Sequence, residues 1–581
     1  WWTGGTIKTV RVLVRGTGLS NAKVESSTAG LTPSNPKTSA NGHYLFFDLT
    51  VAENVQPGTY QLKVTSAGGA ANAAFSVFTA LPRYGNYSGY STDDVIYQLI
   101  PDRFANGDPA NDDPARSKGS FDRAKPQSYH GGDLQGVADK LAYLKSLGAT
   151  ALWLTPLYDN YDKPDINAYD GYGVTDLYSV DEHFGDLAKL KEFVRKAHLA
   201  GFVLIQDQII NHVGPDHAWA NDPPTPTWFN GTPQNHLSDD GQRWTTMDPR
   251  ATYQMQKRNL EGWTGNTMPD LNQKDPEVEK YLIQNSLWWL AQTGYDAIRV
   301  GEIANVPRTF LAKWTAAINR ENSKVNILGD VPDADASLVS YFQGGKRGPD
   351  GVDTQITSLA DTPLSVAIRD AFARDHAIRG ISQVIAHDWL YPKPEALASF
   401  LGSHDTQRFM NEPGATIDGL KLAETFLMTT RGTPIIYYGD EIAIRGANAQ
   451  DFPGGSAGDA KNAFTPAGRT AEENDVWNYL AKLGSVRHDL EPLRRGSLLD
   501  LVDDEQQMAF ARVTLKDAVV VVFNNDTKAA DLSFDISMIK LISPNATLTD
   551  ALGKLGDVKI NNGIVTIKMP ARTAAILSIK K

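Results

Sequence analysis

The 581-residue chain contains no cysteine, which excludes disulfides, thiolate nucleophiles and Cys-ligated zinc. It also has no apolar run approaching the roughly 18 residues needed to cross a bilayer, so no membrane partner is expected. Positive charge is in deficit: 56 Lys and Arg stand against 68 Asp and Glu, a net charge of -12. That balance disfavours binding to a phosphate backbone, so no nucleic-acid partner is expected and neutral ligands or cations are favoured. Internal repeats, heptads and low-complexity tracts are absent. The chain starts Trp1-Trp2 without methionine, in keeping with a removed leader and a periplasmic or secreted location.

What is present is an ordinary globular composition, 41% hydrophobic and 21% charged, in a chain too long for one core. About two to four domains are expected. Alternating segments such as TVRVLVRG (9 to 16), HYLFFDLTV and TYQLKVTSA, separated by Gly, Asn, Pro and Ser, predict an Ig-like β-sandwich over 1–82. QMAFARVTL, AVVVVFNN and TAAILSIKK predict a second sandwich over 500–581. Between them, eight apolar segments alternate with helical stretches: VIYQLIP (95 to 101), ALWLTP (151 to 156), FVLIQDQII (202 to 210), AIRVG (297 to 301), VNILGDV (325 to 331), GVDTQITSL (351 to 359), LASFLGSHD (397 to 405) and TPIIYYG (433 to 439). The fold class is therefore α/β, a (β/α)8 TIM barrel over 83–212 and 286–499. The Pro-, Asn- and Trp-rich stretch 213–285 predicts an inserted subdomain overhanging the active-site face.

Barrel chemistry is sought at the C-terminal ends of the strands. There stand Asp207 and His212 after strand three, Arg299 on strand four, Asp330 on strand five, and His404 and Asp405 on strand seven. Singly, such residues often cap helices or pair with a neighbour. Together, carboxylates with an arginine and two histidines suit a neutral polyol, because carboxylates bind sugar hydroxyls and stabilise an oxocarbenium-like transition state.

DQIINH (207 to 212), AIRVG (297 to 301), ILGDV (327 to 331), GSHD (402 to 405) and MPDLN (268 to 272) resemble the successive motifs of the α-amylase family of glycoside hydrolases. YHGGDLQG (129 to 136), PPTPTWFNGT (223 to 232), VPRTF (306 to 310), RFMNEPGAT (408 to 416) and TTRGTPIIYYGDE (429 to 441) narrow the likeness toward bacterial cyclomaltodextrinases, and it runs over essentially the whole chain. The resemblance implies a maltodextrin or cyclodextrin-like oligosaccharide as partner, with Asp207, His212, Arg299, His404 and Asp405 holding the sugar at the cleavage subsite, Asp405 counted with Asp330 among the catalytic residues, and Tyr172 stacking on the sugar. It also leaves a homodimer possible, since relatives pair through their terminal domains.

Several positions depart from the family pattern. Gly301 stands where the resemblance implies the nucleophilic aspartate, and Asp330 where it implies a glutamate acid/base. Asp170 occupies a histidine position, and Glu302 is a further unusual carboxylate. Retaining hydrolysis needs two carboxyl groups about 5–5.5 Å apart. Losing one and shortening the other by roughly one bond should nearly abolish it, since ~1 Å of misplacement can cost about a hundredfold. Alternation along the strand predicts that Glu302 faces away from the side shared by Arg299 and Gly301, and a loop beginning at 302 would undo that. Three readings stay open: an impaired glycosidase that still binds α-1,4-glucans, a barrel whose strand-end site was rebuilt for another reaction by divergence or design, and a carbohydrate-binding protein without turnover. Under the second, Asp170, Glu302, Asp330, His212, His404 and Ser403 become acid, base or nucleophile candidates.

A metal site is predicted separately. DRFANGDPANDDP (102 to 114) brings oxygen-bearing Asn106, Asp108, Asn111 and Asp112 into one loop, and Asp133 lies beside Gly131. Hard cations take six to eight oxygens. An Asx-rich turn is the bland alternative, and the resemblance, in which similar enzymes place calcium at this loop, favours a calcium ion.

Overall fold

The computed structural model describes residues 1–82, 87–160, 169–446 and 464–579. Eight parallel strands form the centre: Ile96–Leu99, Ala151–Leu154, Val203–Gln208, Ala297–Val300, Asn326–Gly329, Ser358–Leu359, Ala398–Phe400 and Thr433–Tyr437. Each pairs in parallel with its sequence neighbour and the eighth returns to the first. The bridge between Ala360 and Ala398 joins the sixth to the seventh and closes the barrel. Apart from their half-buried first residues Val203 and Asn326, these strands are buried along their whole length, which is why they read as apolar runs rather than as alternation.

Their inward side chains build the site in layers. Ile96, Trp153, Ile205, Ala297, Leu328 and Ile435 share the barrel's internal core. Because side chains alternate with a period of two, the next inward positions are Gln98 above Ile96, Asp207 above Ile205, Arg299 above Ala297 and Asp330 above Leu328. A polar floor therefore lies directly on the apolar core, at the C-terminal ends of the strands. The sixth strand is only Ser358–Leu359; most of the expected segment 351–359 is irregular, since Asp353, Thr354 and Gln355 supply no apolar face to bury.

The chain opens with two three-stranded antiparallel sheets. One of them meets the barrel through Arg11, which pairs with Glu277 at 2.9 Å on helix Pro276–Thr293, and meets the inserted stretch through Phe46 against Trp228. At the other end, eight antiparallel strands from Ser497–Asp503 to Thr573–Ile579 form one continuous sheet around Val520, Val522, Phe534, Val565 and Leu577. Between the third strand and Pro276 the chain is largely irregular, with helix Tyr253–Glu261 and short strand pairs. Trp228 and Trp263 are core residues there, while Trp244 is 45% exposed.

Candidate active site

Above the polar floor lies a pocket of about 350 Å³. Four carboxylates line it, Asp170, Glu302, Asp330 and Asp405, together with Arg299, His212 and Arg243, Tyr172, Gly301, and apolar Ile209, Ile210, Met268 and Pro332.

Arg299 organises the floor. Its guanidinium is buried and reaches Asp207 at 3.0 Å and the Tyr172 hydroxyl at 2.6 Å through Nη1, and Asp330 at 2.6 Å and Asp405 at 3.5 Å through Nη2. It also lies over the Trp153 ring, 5.0 Å from the centroid. Asp207 accepts from Trp153 Nε1 at 2.9 Å and from Tyr172 at 2.8 Å. His404 continues the network, with Nδ1 bonded to the Gln98 amide at 2.5 Å and Nε2 to Tyr172 and Asp405 at 2.7 and 3.0 Å. Burial pushes the Asp207 carboxyl above its ordinary range, and the Arg299 charge opposes that.

Asp207 and His404, expected to hold the sugar, stand one layer behind the pocket surface. Both are buried and neither lines the pocket. They position Tyr172 and Arg299 from behind, because every polar atom they offer is already engaged by the floor. Tyr172 lines the pocket, yet its ring is stacked on His404 with centroids 5.2 Å apart and planes 6° from parallel, so one face is covered by protein.

Glu302 is the larger correction. The fourth strand ends at Val300, and Glu302 takes a left-handed conformation, φ 54° and ψ 27°, ahead of the turn Ile303–Asn305. Strand alternation no longer applies, and the side chain turns into the pocket. There Oε2 accepts from His212 Nδ1 at 2.8 Å and Asn211 Nδ2 at 3.2 Å. The other His212 nitrogen meets the Tyr172 carbonyl at 3.2 Å, so both nitrogens face acceptors, an arrangement that favours the charged imidazole. Burial disfavours that charge, but Glu302 outweighs it and raises the imidazole; burial likewise opposes the Glu302 charge, and His212 lowers the carboxyl. On the other side, Asp170 Oδ1 accepts from the Tyr172 amide at 3.1 Å, and burial pushes its carboxyl up to about 6.

Gly301 leaves no carboxylate at the strand end. A Cβ built there would lie 3.0–3.3 Å from the Arg299 guanidinium, so the space beside it is bounded by that cation rather than open.

The metal residues divide into two groups. Asn106 donates to Asp112 Oδ1 at 2.7 Å, and Gly131, at φ +85°, brings its backbone against both. The Oδ1 atoms of Asn106 and Asn111 are buried without a hydrogen-bond partner. Asp133, by contrast, accepts from the amides of Gly107, Asp108 and Gly136, and Asp108 caps the turn at Ala110. Asp133 is thus the helix cap that shapes the loop beside the expected ligands. Among the described residues no three His, Cys, Asp or Glu side chains converge as a metal cluster, so amide, carbonyl and Asp112 oxygens would have to make up the donor set.

Arg243, Thr264 and Met268 line the pocket from the inserted stretch; Met268 opens the MPDLN motif, while Arg243 and Thr264 went unread in the sequence, where nothing local marks which part of a long loop folds back. Gln98 and Trp153 carried a faint signal, as polar or polar-tipped residues inside apolar strand runs.

The family described as α-amylase catalytic domain matches residues 98–484, which is most of the chain and all eight barrel strands but the first two residues of the first. The chain belongs to the α-amylase family. Residues 1–78 match the family described as cyclomaltodextrinase, N-terminal. The chain is 31% identical to neopullulanase 2 of Thermoactinomyces vulgaris over 74% of its own length and 69% of that protein's. It is 29% identical to a cyclomaltodextrinase of Thermoanaerobacter pseudethanolicus, over 76% and 71%. A β/α-amylase of Paenibacillus polymyxa is 30% identical over 83% of this chain, which spans only 37% of that larger protein. Among solved structures, an Anoxybacillus α-amylase superposes with a TM-score of 0.71 at 31% identity, covering 84% of this chain and 98% of that one. A Geobacillus thermoleovorans α-amylase, solved complexed with acarbose, gives 0.69 at 29% identity over 84% and 99%.

Proposed function

We propose that the pocket binds α-1,4-linked glucans, and that hydrolysis through a covalent glycosyl intermediate is nearly absent. The first half rests on family membership and on relatives named cyclomaltodextrinase and neopullulanase. A floor of Tyr172, Arg299, Asp330 and Asp405 supports it, since these groups suit hydroxyl recognition. The second half rests on one observation, Gly301. With no side chain at the strand end, nothing attacks the anomeric carbon from that position. Asp330, one methylene shorter than glutamate, is held by Arg299 at 2.6 Å, which draws it toward the floor and away from a leaving oxygen above.

The test is the double variant Gly301→Asp with Asp330→Glu. The Arg299 guanidinium has to yield only a few tenths of an ångström to admit the new Cβ, and it then faces a carboxylate. Maltodextrin hydrolysis should rise at least about a hundredfold, while calorimetry with maltoheptaose or β-cyclodextrin shows binding by both proteins. Binding without a gain in rate would point to a carbohydrate-binding protein. No binding by either protein would reject the glucan reading and favour a site rebuilt for another ligand.

A calcium ion held by Asn106, Asn111, Asp112 and the Gly131 carbonyl is part of the same proposal. The buried, unpartnered Oδ1 atoms of Asn106 and Asn111 support it, because a hard cation satisfies such oxygens. Its chemistry is structural: it would cross-link the loop after the first strand to the segment before helix Leu134–Asp139. Chelation by EGTA should lower Tm and added calcium should restore it, whereas a Tm insensitive to both would remove the ion from the account.

A further inference from the structure

Gly301 removes one carboxylate, and the next residue supplies another. We propose that Glu302 is the base of this site, and that Asp170 is its acid partner in a single-displacement hydrolysis of α-linked glucans. The proposal rests on the glucan reading above. Glu302 Oε1 takes a proton from water as that water's oxygen bonds to the anomeric carbon. The bond from that carbon to the glycosidic oxygen breaks, and the departing oxygen takes the Asp170 proton. Glu302 ends protonated and Asp170 ionised, and exchange with solvent resets both. Because attack is direct, an α-linked substrate yields a product of β configuration.

Glu302 is held for this task in a way a surface carboxylate is not. Its backbone sits at φ 54°, a conformation that costs a residue with a Cβ about 1–2 kcal/mol and persists only where surrounding contacts enforce it. Among the enforcing contacts, Oε2 is gripped by His212 and Asn211 and the Thr264 side chain stands against the same carboxylate; Oε1 is the oxygen assigned to the water. Gly301 lines the same pocket and offers no side chain that would attack first.

The other acidic groups are committed elsewhere. Asp330 and Asp405 both share Arg299 Nη2, and Asp405 also meets His404. Among the described residues no cation pairs with Asp170, and its carboxyl accepts through Oδ1 from the Tyr172 amide. The same residue fixes the pair: the Tyr172 amide holds Asp170 while its carbonyl holds His212, which holds Glu302. Acid and base are thus suspended from the two ends of one residue. Their environments push them apart in the required sense, since burial raises Asp170 to about 6 while His212 overcomes burial to lower Glu302; two carboxyls displaced in opposite directions mark an acid and a base.

The experiment uses the full chain and maltoheptaose. Calorimetry measures binding, and proton NMR reads the anomer first released. The expected result is a β-anomer, with Glu302→Gln lowering kcat at least about a hundredfold while the maltoheptaose Kd stays within about twofold, which also shows that the variant is folded. Asp170→Asn should remove the alkaline limb of the pH–rate profile. An α-anomer, a Glu302→Gln rate within about twofold of the parent, or binding with no turnover would each overturn the role of Glu302 and leave the glucan reading standing. Failure to bind maltoheptaose would overturn both.

Discussion

Asp170 is a carboxyl held above its ordinary range, and that makes it visible in stability as well as in chemistry. Its folded value is about 6 against 3.8 for the free side chain, so the folded state binds the proton more tightly. The favourable contribution is complete below about 3.8 and is lost as pH rises through about 6. Asp170→Asn keeps the acceptor for the Tyr172 amide and cannot ionise. We expect the variant to gain on the parent across that window, by about 1–3 kcal/mol at pH 8 relative to pH 4. Urea unfolding of both proteins at the two pH values measures this, and a difference that does not change with pH would mean that Asp170 is not enclosed as described. At this scale the sequence was legible where a residue type is diagnostic by itself. Gly301 stands out because glycine cannot do what an aspartate does, and Arg299 and Asp330 lie one inward step above Ala297 and Leu328. The aim of Glu302 was not legible, because it depends on a single backbone angle that no side-chain pattern encodes. Asp207 and His404 kept their places but act from behind, since what engages them comes from other strands.

The segment that carries Asp170 and Tyr172 follows the second strand and turns on Gly171. Its φ is +88°, and a Cβ there would come within 2.1 Å of the Pro156 carbonyl oxygen. Since that neighbour is backbone, Gly171→Ala has to lift the segment off the strand end, carrying Tyr172 away from Asp207, Arg299 and His404. Maltoheptaose affinity should fall by about tenfold or more, ~1.4 kcal/mol, with a lower Tm, and calorimetry beside thermal melting checks both. Unchanged affinity would show that the segment adapts without moving Tyr172. Strands were legible as elements because two-sided burial writes an apolar run into the sequence, as in Ala297–Val300 and Thr433–Tyr437. The sixth strand shows the limit: GVDTQITSL has one polar residue too many to mark its ends, and only Ser358–Leu359 joins the sheet. Loops such as the one bearing Arg243 fold back by contacts with distant residues, which leave no period to read.

Over the whole molecule, alternation announced the terminal β-rich segments, but the way the last one docks is carried by single residues. Arg512, on strand Gln507–Val513, is 2% exposed. It donates to the carbonyls of Thr429, at 2.6 Å, and Thr430, at the end of helix Ile417–Thr429, and to Gly496 at 2.8 Å. A cation there satisfies carbonyls that the helix leaves unpaired and complements its dipole. Beside it Phe510 and Phe523 pack on Phe426, with centroids 5.9 and 5.8 Å apart, so one apolar cluster runs from the barrel into the C-terminal sheet. The two should therefore unfold together. Arg512→Met keeps the apolar stem and takes the donor from three buried carbonyls, a loss of about 2–4 kcal/mol concentrated at this junction. All 12 tryptophans lie before residue 478, so their fluorescence reports the barrel and N-terminal sheets but not the last strands, whereas circular dichroism reports every sheet. In urea the two signals should coincide for the parent. For Arg512→Met a dichroism change should come first, as the C-terminal strands part from a barrel that is still folded. Coincident transitions in the variant, at whatever midpoint, would show that the phenylalanine cluster alone binds the two into one cooperative unit.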